Sequence, residues 1–128
     1  MLSPALEGVF ANAAAPQKAA LILLVATLPG MLIAATLAVR GGRGAEAWRR
    51  TVADLRTAGP AVGLLVASLN GFHMGETIAR LPFDPTLKQV APGIFEISVF
   101  VSLGAAVGLL AQVAHTAIGL LARRRQTL

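Results

Sequence analysis

Three long apolar runs separated by short polar and basic stretches dominate the chain. Ala19 to Val39 carries no charged residue and is long enough to cross a hydrocarbon core, which takes about 20 apolar residues. Its one awkward position is Pro29, followed by Gly30, where a missing backbone donor predicts a kink that neighbouring helices must compensate. Gly59-Pro60 opens a second run that lasts to about Ala79, with proline where its absent N–H costs least. The third begins near Ile94 and meets no breaker before Arg123. At 1.5 Å per residue it outruns a ~30 Å core, so one end projects or the helix tilts.

The intervening stretches have their own patterns. Arg40-Gly41-Gly42-Arg43-Gly44 ends the first span, after which Trp48, Val52 and Leu55 recur at i, i+4 and i+7 and predict a short surface helix. Arg80 to Pro92 is rich in turn signals: Pro82, Asp84-Pro85 and Pro92-Gly93 each bias the backbone away from helix. At the start, Ser3-Pro4 reads as a cap with proline at the first helical position, and Leu2, Leu6, Val9, Phe10 and Ala13 repeat at helical spacing. A short interfacial helix is expected there. Glu7 near the start, with Pro29 and Arg40 further on, argues against a cleaved signal peptide. The expected fold is an all-α membrane protein of one domain. It comprises an interfacial segment 1–16, membrane spans 17–40, 59–80 and 93–122, a basic connection 41–58, an outer loop 81–92 and a basic tail 123–128.

Composition strengthens this reading. Of 128 residues, 55% are hydrophobic and only 13% charged, whereas a soluble domain carries about 25% charge. The mean hydropathy is +0.71. Three crossings leave no room in this length for an extramembrane catalytic domain. The absence of cysteine removes disulfides, thiolate metal sites and thiol nucleophiles together.

Basic residues are unevenly placed. Arg40, Arg43, Arg49, Arg50 and Arg56, with Arg123, Arg124 and Arg125 of the tail, fall on one side of a three-span chain, against Lys18, Arg80 and Lys88 on the other. The positive-inside rule then predicts the N-terminus outside and the C-terminus in the cytoplasm. These arginines read as topology signals, and nucleic acid is not an expected partner.

Polar residues inside the spans are the candidate functional groups, because burying them in hydrocarbon is costly unless they face protein or water. In the second span Asn70, His73 and Thr77 fall at i, i+3 and i+7, with Glu76 expected on the same stripe and placed to pair with Arg80 at i, i+4. His73 reads either as a proton relay, since imidazole exchanges protons near neutral pH, or as a packed interhelical side chain. Glu96 lies early in the third span, where the helix N-terminus favours a carboxylate. Ser98, Ser102, Leu109, Gln112 and Thr116 follow as a mixed stripe. Gly104 and Gly108, Gly71 and Gly75, and Gly59 and Gly63 form small-xxx-small motifs suited to close helix packing. Three helices have too little surface to satisfy these faces alone, so a homo-oligomer is expected. No nucleophile–base set or metal-ligand cluster is apparent, so neither enzyme activity, nor a cofactor, nor a metal is expected.

Val90-Ala91-Pro92-Gly93-Ile94-Phe95-Glu96 resembles the start of the third membrane helix in the MotA/TolQ/ExbB proton-channel family, closest to its ExbB branch, where V-A-P-G-I-x-E-A-L continues into T-A-x-G-L. Gly104 falls on the glycine of that continuation, and His115-Thr116 falls near a Tyr-Asn pair. Pro60-Ala61-Val62-Gly63-Leu64-Leu65 resembles the family's P-x-x-G-L-x opening of the second helix. The resemblance covers roughly residues 57 to 120. It implies a subunit of a bacterial inner-membrane complex, typically a pentamer, surrounding the single-pass helices of an ExbD-like or TolR-like partner and coupling proton flow to their motion. Glu96 is then the pore-side carboxylate, with Ser68, Ser102, Asn70 and His73 as candidates to line a proton route. This chain differs from the family in reading Val66-Ala67-Ser68-Leu69-Asn70 where the second helix has G-T-V-x-G, in Val101 where the third helix has threonine, and in a short cytoplasmic connection. Ser68 and Ser102 each sit next to the vacated place, about 100° round the helix. The alternatives are a non-conducting membrane scaffold, or an unrelated three-helix accessory protein.

Overall fold

The computed structural model describes residues 15–128, and these form three helices: α1 (Ala15–Arg40), α2 (Ala45–Arg80) and α3 (Leu87–Thr127). The interfacial helix expected near the N-terminus lies outside the described residues. All three helices are long and apolar enough to cross a membrane. Their outward surfaces are apolar as well: Leu23, Ile33, Leu65, Phe72, Leu109 and Val113 are each more than 60% exposed. Such a surface is stable in lipid and not in water.

Helix α1 continues through Pro29. Here Pro29 and Gly30 are exposed, so the break in the ladder faces away from the other helices. Thr27 and Thr36 satisfy their hydroxyls on their own helix, donating to the carbonyls of Leu23 at 2.6 Å and Leu32 at 2.8 Å. Neither of these two hydroxyls is then left unpaired in hydrocarbon. The connection to α2 turns within four residues because Gly41, Gly42 and Gly44 adopt φ of 76°, 93° and 85°, values L side chains rarely tolerate.

The sequence predicts a surface helix and a separate second span broken at Gly59-Pro60, but α2 runs unbroken for 36 residues. Pro60 removes only the donor to the Arg56 carbonyl, and the interface with α3 accommodates the change. A Cβ on Gly108 would lie 2.5 Å from the Pro60 ring and 3.2 Å from the Arg56 oxygen, so that carbonyl rests against the glycine backbone of α3. The helix ends where Leu81 turns extended (φ −70°, ψ 140°), as expected of a residue preceding proline.

The connection between α2 and α3 is also shorter than its turn signals suggest, and α3 begins at Leu87, before Pro92. Gln89 makes this possible: its side-chain oxygen accepts the Thr86 backbone N–H at 3.0 Å, closing the first turn. Pro92 then lies in the second turn, where it costs a single bond near the helix end.

Helices α2 and α3 form the closest pair. Gly63 and Gly104 meet backbone to backbone, and a Cβ on Gly63 would lie 2.6 Å from the Phe100 carbonyl oxygen and 2.9 Å from the Gly104 Cα. A Cβ on Gly104 would come within 2.8 Å of the Gly59 oxygen. Glycine Cα–H groups aimed at carbonyls across a helix pair are weak hydrogen bonds, and small residues let helices approach in lipid. Helix α1 covers this pair. Leu21, Leu24 and Met31 pack with Ala67, Phe100, Val107 and Ala111 in one buried cluster, while Ala34 and Ala38 pack with Val52 and Ile118 in a second.

Candidate functional site

The close α2–α3 contact brings two polar side chains together at the end of the bundle where α2 finishes and α3 begins. Asn70 is buried at 8% exposure, alone among the described polar residues in that respect. Its amide nitrogen donates to Glu96 Oε1 at 3.3 Å. Its carbonyl oxygen accepts from the Gln17 side-chain amide of α1. One residue from each helix thus joins a single chain, Gln17 to Asn70 to Glu96, in which donor and acceptor capacities of the central amide are both used.

A cleft of about 600 Å³ lies beside this chain. Gln17, Asn70, His73, Thr77, Gln89 and Glu96 are its polar walls, and Met74, Ile78, Phe83 and Val90 contribute apolar surface. His73 is exposed. It borders the cleft, and its backbone carbonyl accepts from Thr77 Oγ1 at 2.9 Å. Met74 sits where a Cβ on Gly93 would fall, 2.6 Å from its sulfur, so Gly93 is the small residue that lets α2 pass α3 here.

The structure gathers Asn70, His73, Thr77 and Glu96, but not the remaining candidates. Ser68 lies on the opposite side of α2, since two residues amount to about 200° of rotation. It is exposed in a separate groove with Gly71, Phe72, Gly75 and Glu76. Glu76 therefore does not share the Asn70–His73 stripe, nor does it pair with Arg80; the ion pair found among the described residues is Arg50 Nε with Glu46 Oε1, at 3.6 Å. Ser102 is exposed on α3, six residues and about 120° round the helix from Glu96. Gly63, Gly104 and Gly108 lie in the α2–α3 crossing. Gly71 meets only an ordinary contact with Ile97, and Gly75 has open space where a Cβ would be.

Two polar contacts were not foreseen from sequence. Gln17 is the first polar residue of the first span, and only the packing of α1 reveals its partner. Arg56, read as a topology signal, donates through Nη1 to Gln112 Oε1 at 3.3 Å and through Nε to the Ala53 carbonyl at 3.2 Å. Gln112 Nε2 in turn donates to Thr116 Oγ1 at 3.4 Å. A lone amide in the third apolar run was the signal available for this second network. No group of three His, Asp or Glu side chains able to hold a metal occurs among the described residues.

Chemically, the cleft presents one carboxylate, Glu96, held by the Asn70 amide and sharing its walls with the side chains of His73, Thr77 and Gln89. No family model, no curated protein and no solved structure matches the chain. The helices and composition define a multi-pass membrane protein.

Proposed function

We propose that this chain is a subunit of a proton-motive-force-transducing complex of a bacterial inner membrane, resembling ExbB and TolQ, in which several copies form a helix cage around a single-pass partner. The observation that carries this reading is the Asn70–Glu96 contact. An ionisable side chain near the end of an apolar bundle is expensive to keep, and such residues mark ion and proton pathways. In this scheme Glu96 exchanges the proton with the cleft, Asn70 and Gln17 hold the carboxylate in place, and His73 is the neighbouring titratable group. By the positive-inside rule the cleft opens outside and the arginine-rich end faces the cytoplasm.

A second reading, a non-conducting scaffold for the same kind of partner, is favoured by the outward positions of Ser68 and Ser102. Beyond Glu96 the α2–α3 interface is filled by Phe100, Gly63, Gly104 and Val107. Within one protomer, then, no run of hydroxyls leads from Glu96 toward the basic end.

Proton flux into liposomes carrying the chain with a candidate ExbD-like or TolR-like partner separates the two. Transduction requires flux above empty liposomes that Glu96→Gln abolishes and Ser68→Ala leaves unchanged. A stable complex with the partner that passes no protons leaves the scaffold. Native mass measurement in nanodiscs that finds only monomers removes both.

A further inference from the structure

The face of α2 turned away from the bundle carries a groove that the proton reading does not use. The groove is open, about 630 Å³, and lined by the small residues Ser68, Gly71, Gly75 and Ala79 together with Phe72 and Glu76. Glu76 is exposed there and makes no ion pair among the described residues. A carboxylate on the lipid side of a span is costly until something covers it. The outward face of α3 carries the complement. Lys88 and Phe95, seven residues apart, share one side of that helix. Both are exposed, and Lys88 has no acidic partner among the described residues. Phe95 points about 140° away from Phe100, the residue buried toward α2.

The Asn70–Glu96 contact sets the relative depth of the two faces. Gly71 and Phe95 each lie about 1.5 Å beyond it toward residues 81–86, and Glu76 and Lys88 lie about 9 and 12 Å beyond it. Copies standing parallel in one bilayer keep these depths. Laying α3 of one copy on α2 of the next therefore sets the Phe95 ring at Gly71 and Gly75, where a Cβ on Gly75 would meet nothing. The same placement brings the Lys88 ammonium within a turn of Glu76. Groove laid on groove across a two-fold axis would instead bring two Glu76 carboxylates together. On the reading that several copies assemble, we propose that the α2 groove of each copy receives the Lys88–Phe95 face of α3 from the next. Each copy offers one face and receives the other, the head-to-tail type of contact from which rings are built.

The test uses the full chain in a cell membrane, which holds every copy in one orientation. Ser68 and Ser98 are exposed and level, each two residues from the Asn70–Glu96 contact toward the arginine-rich end, and the native chain has no thiol to interfere. Chains bearing Ser68→Cys, coexpressed with chains bearing Ser98→Cys, should give a disulfide-linked dimer under a membrane-permeant oxidant. Each variant alone should stay monomeric. Glu76→Lys added to the first chain should lower the dimer yield by roughly tenfold or more, because like charges placed opposite one another are strongly disfavoured. Lys88→Glu added to the second chain should restore it. No dimer from the mixture, an equal yield from Ser68→Cys alone, or a yield indifferent to Glu76→Lys overturns the proposal. Failure of Lys88→Glu to restore the yield also overturns it. All four positions are exposed, and helicity by circular dichroism reports the fold. Proton flux or partner capture without this dimer overturns the contact alone, whereas the dimer with neither flux nor partner leaves the contact and removes the transducer and the scaffold.

Discussion

Asn70 is the residue on which the polar end of the bundle turns, because its one amide serves Glu96 on α3 and Gln17 on α1. Asn70→Ala removes both contacts and leaves the carboxylate without its side-chain donor. Interhelical hydrogen bonds in membranes are individually modest. The expected loss is therefore about 1 kcal/mol, readable as a lower midpoint of unfolding in mixed micelles. Gln17→Ala removes the tie from Asn70 to α1 and leaves the Asn70–Glu96 bond in place, so the carboxylate keeps its donor. Both polar members of the Asn70–Glu96 pair were legible in the sequence as hydrophilic residues in apolar spans. Their contact was not, because it depends on how far α3 slides along α2. The helical period alone puts Ser68 on the opposite face from Asn70, and only the motif resemblance had grouped the two.

At the scale of the elements, glycine and proline decide how α2 and α3 meet. Gly63→Ala would drive a Cβ into backbone, 2.6 Å from the Phe100 oxygen. No side chain can rotate away from that clash, so the helices must separate, at a cost of about 1–3 kcal/mol. Gly75→Ala finds open space and should stay within about 0.5 kcal/mol of wild type in the same unfolding measurement. Gly108→Ala strikes chiefly the Pro60 ring, at 2.5 Å, with the Arg56 oxygen at 3.2 Å. Its penalty should shrink in a Pro60→Ala background, and a double-mutant cycle would show coupling between the two sites. Additive effects would mean that the ring is not what Gly108 accommodates. Run length is a local property, so the three spans could be read from the chain. The boundaries at Pro60 and Pro92 could not, because one proline is tolerated through a glycine on another helix and the other through a cap formed by Gln89.

For the whole molecule, the helix order places the Gly41–Gly44 connection and the C-terminal tail at one end and residues 81–86 at the other. The native chain has no cysteine, so single cysteines introduced at Arg43, Asp84 and Gln126 can be labelled without background. In a cell membrane, a reagent that does not cross the bilayer should reach Asp84→Cys from outside, and should reach Arg43→Cys and Gln126→Cys only after lysis, in accord with the arginine distribution. The reverse pattern would invert the topology. Labelling of all three from one side would contradict the three crossings.

Pro29 follows Gln17 by twelve residues and Pro60 precedes Asn70 by ten, and Gln17 touches Asn70. Both prolines thus stand at nearly one depth, roughly 15–18 Å from that contact. Two of the three backbone ladders are missing a rung in a shared plane, where α3 has no proline. At that depth the backbone ladders hold the bundle straight less than they do elsewhere, and the alignment of its two halves falls to packing: Gly59 against Val107, Gly108 against the Pro60 ring, and Met31 within the cluster that continues past Pro29.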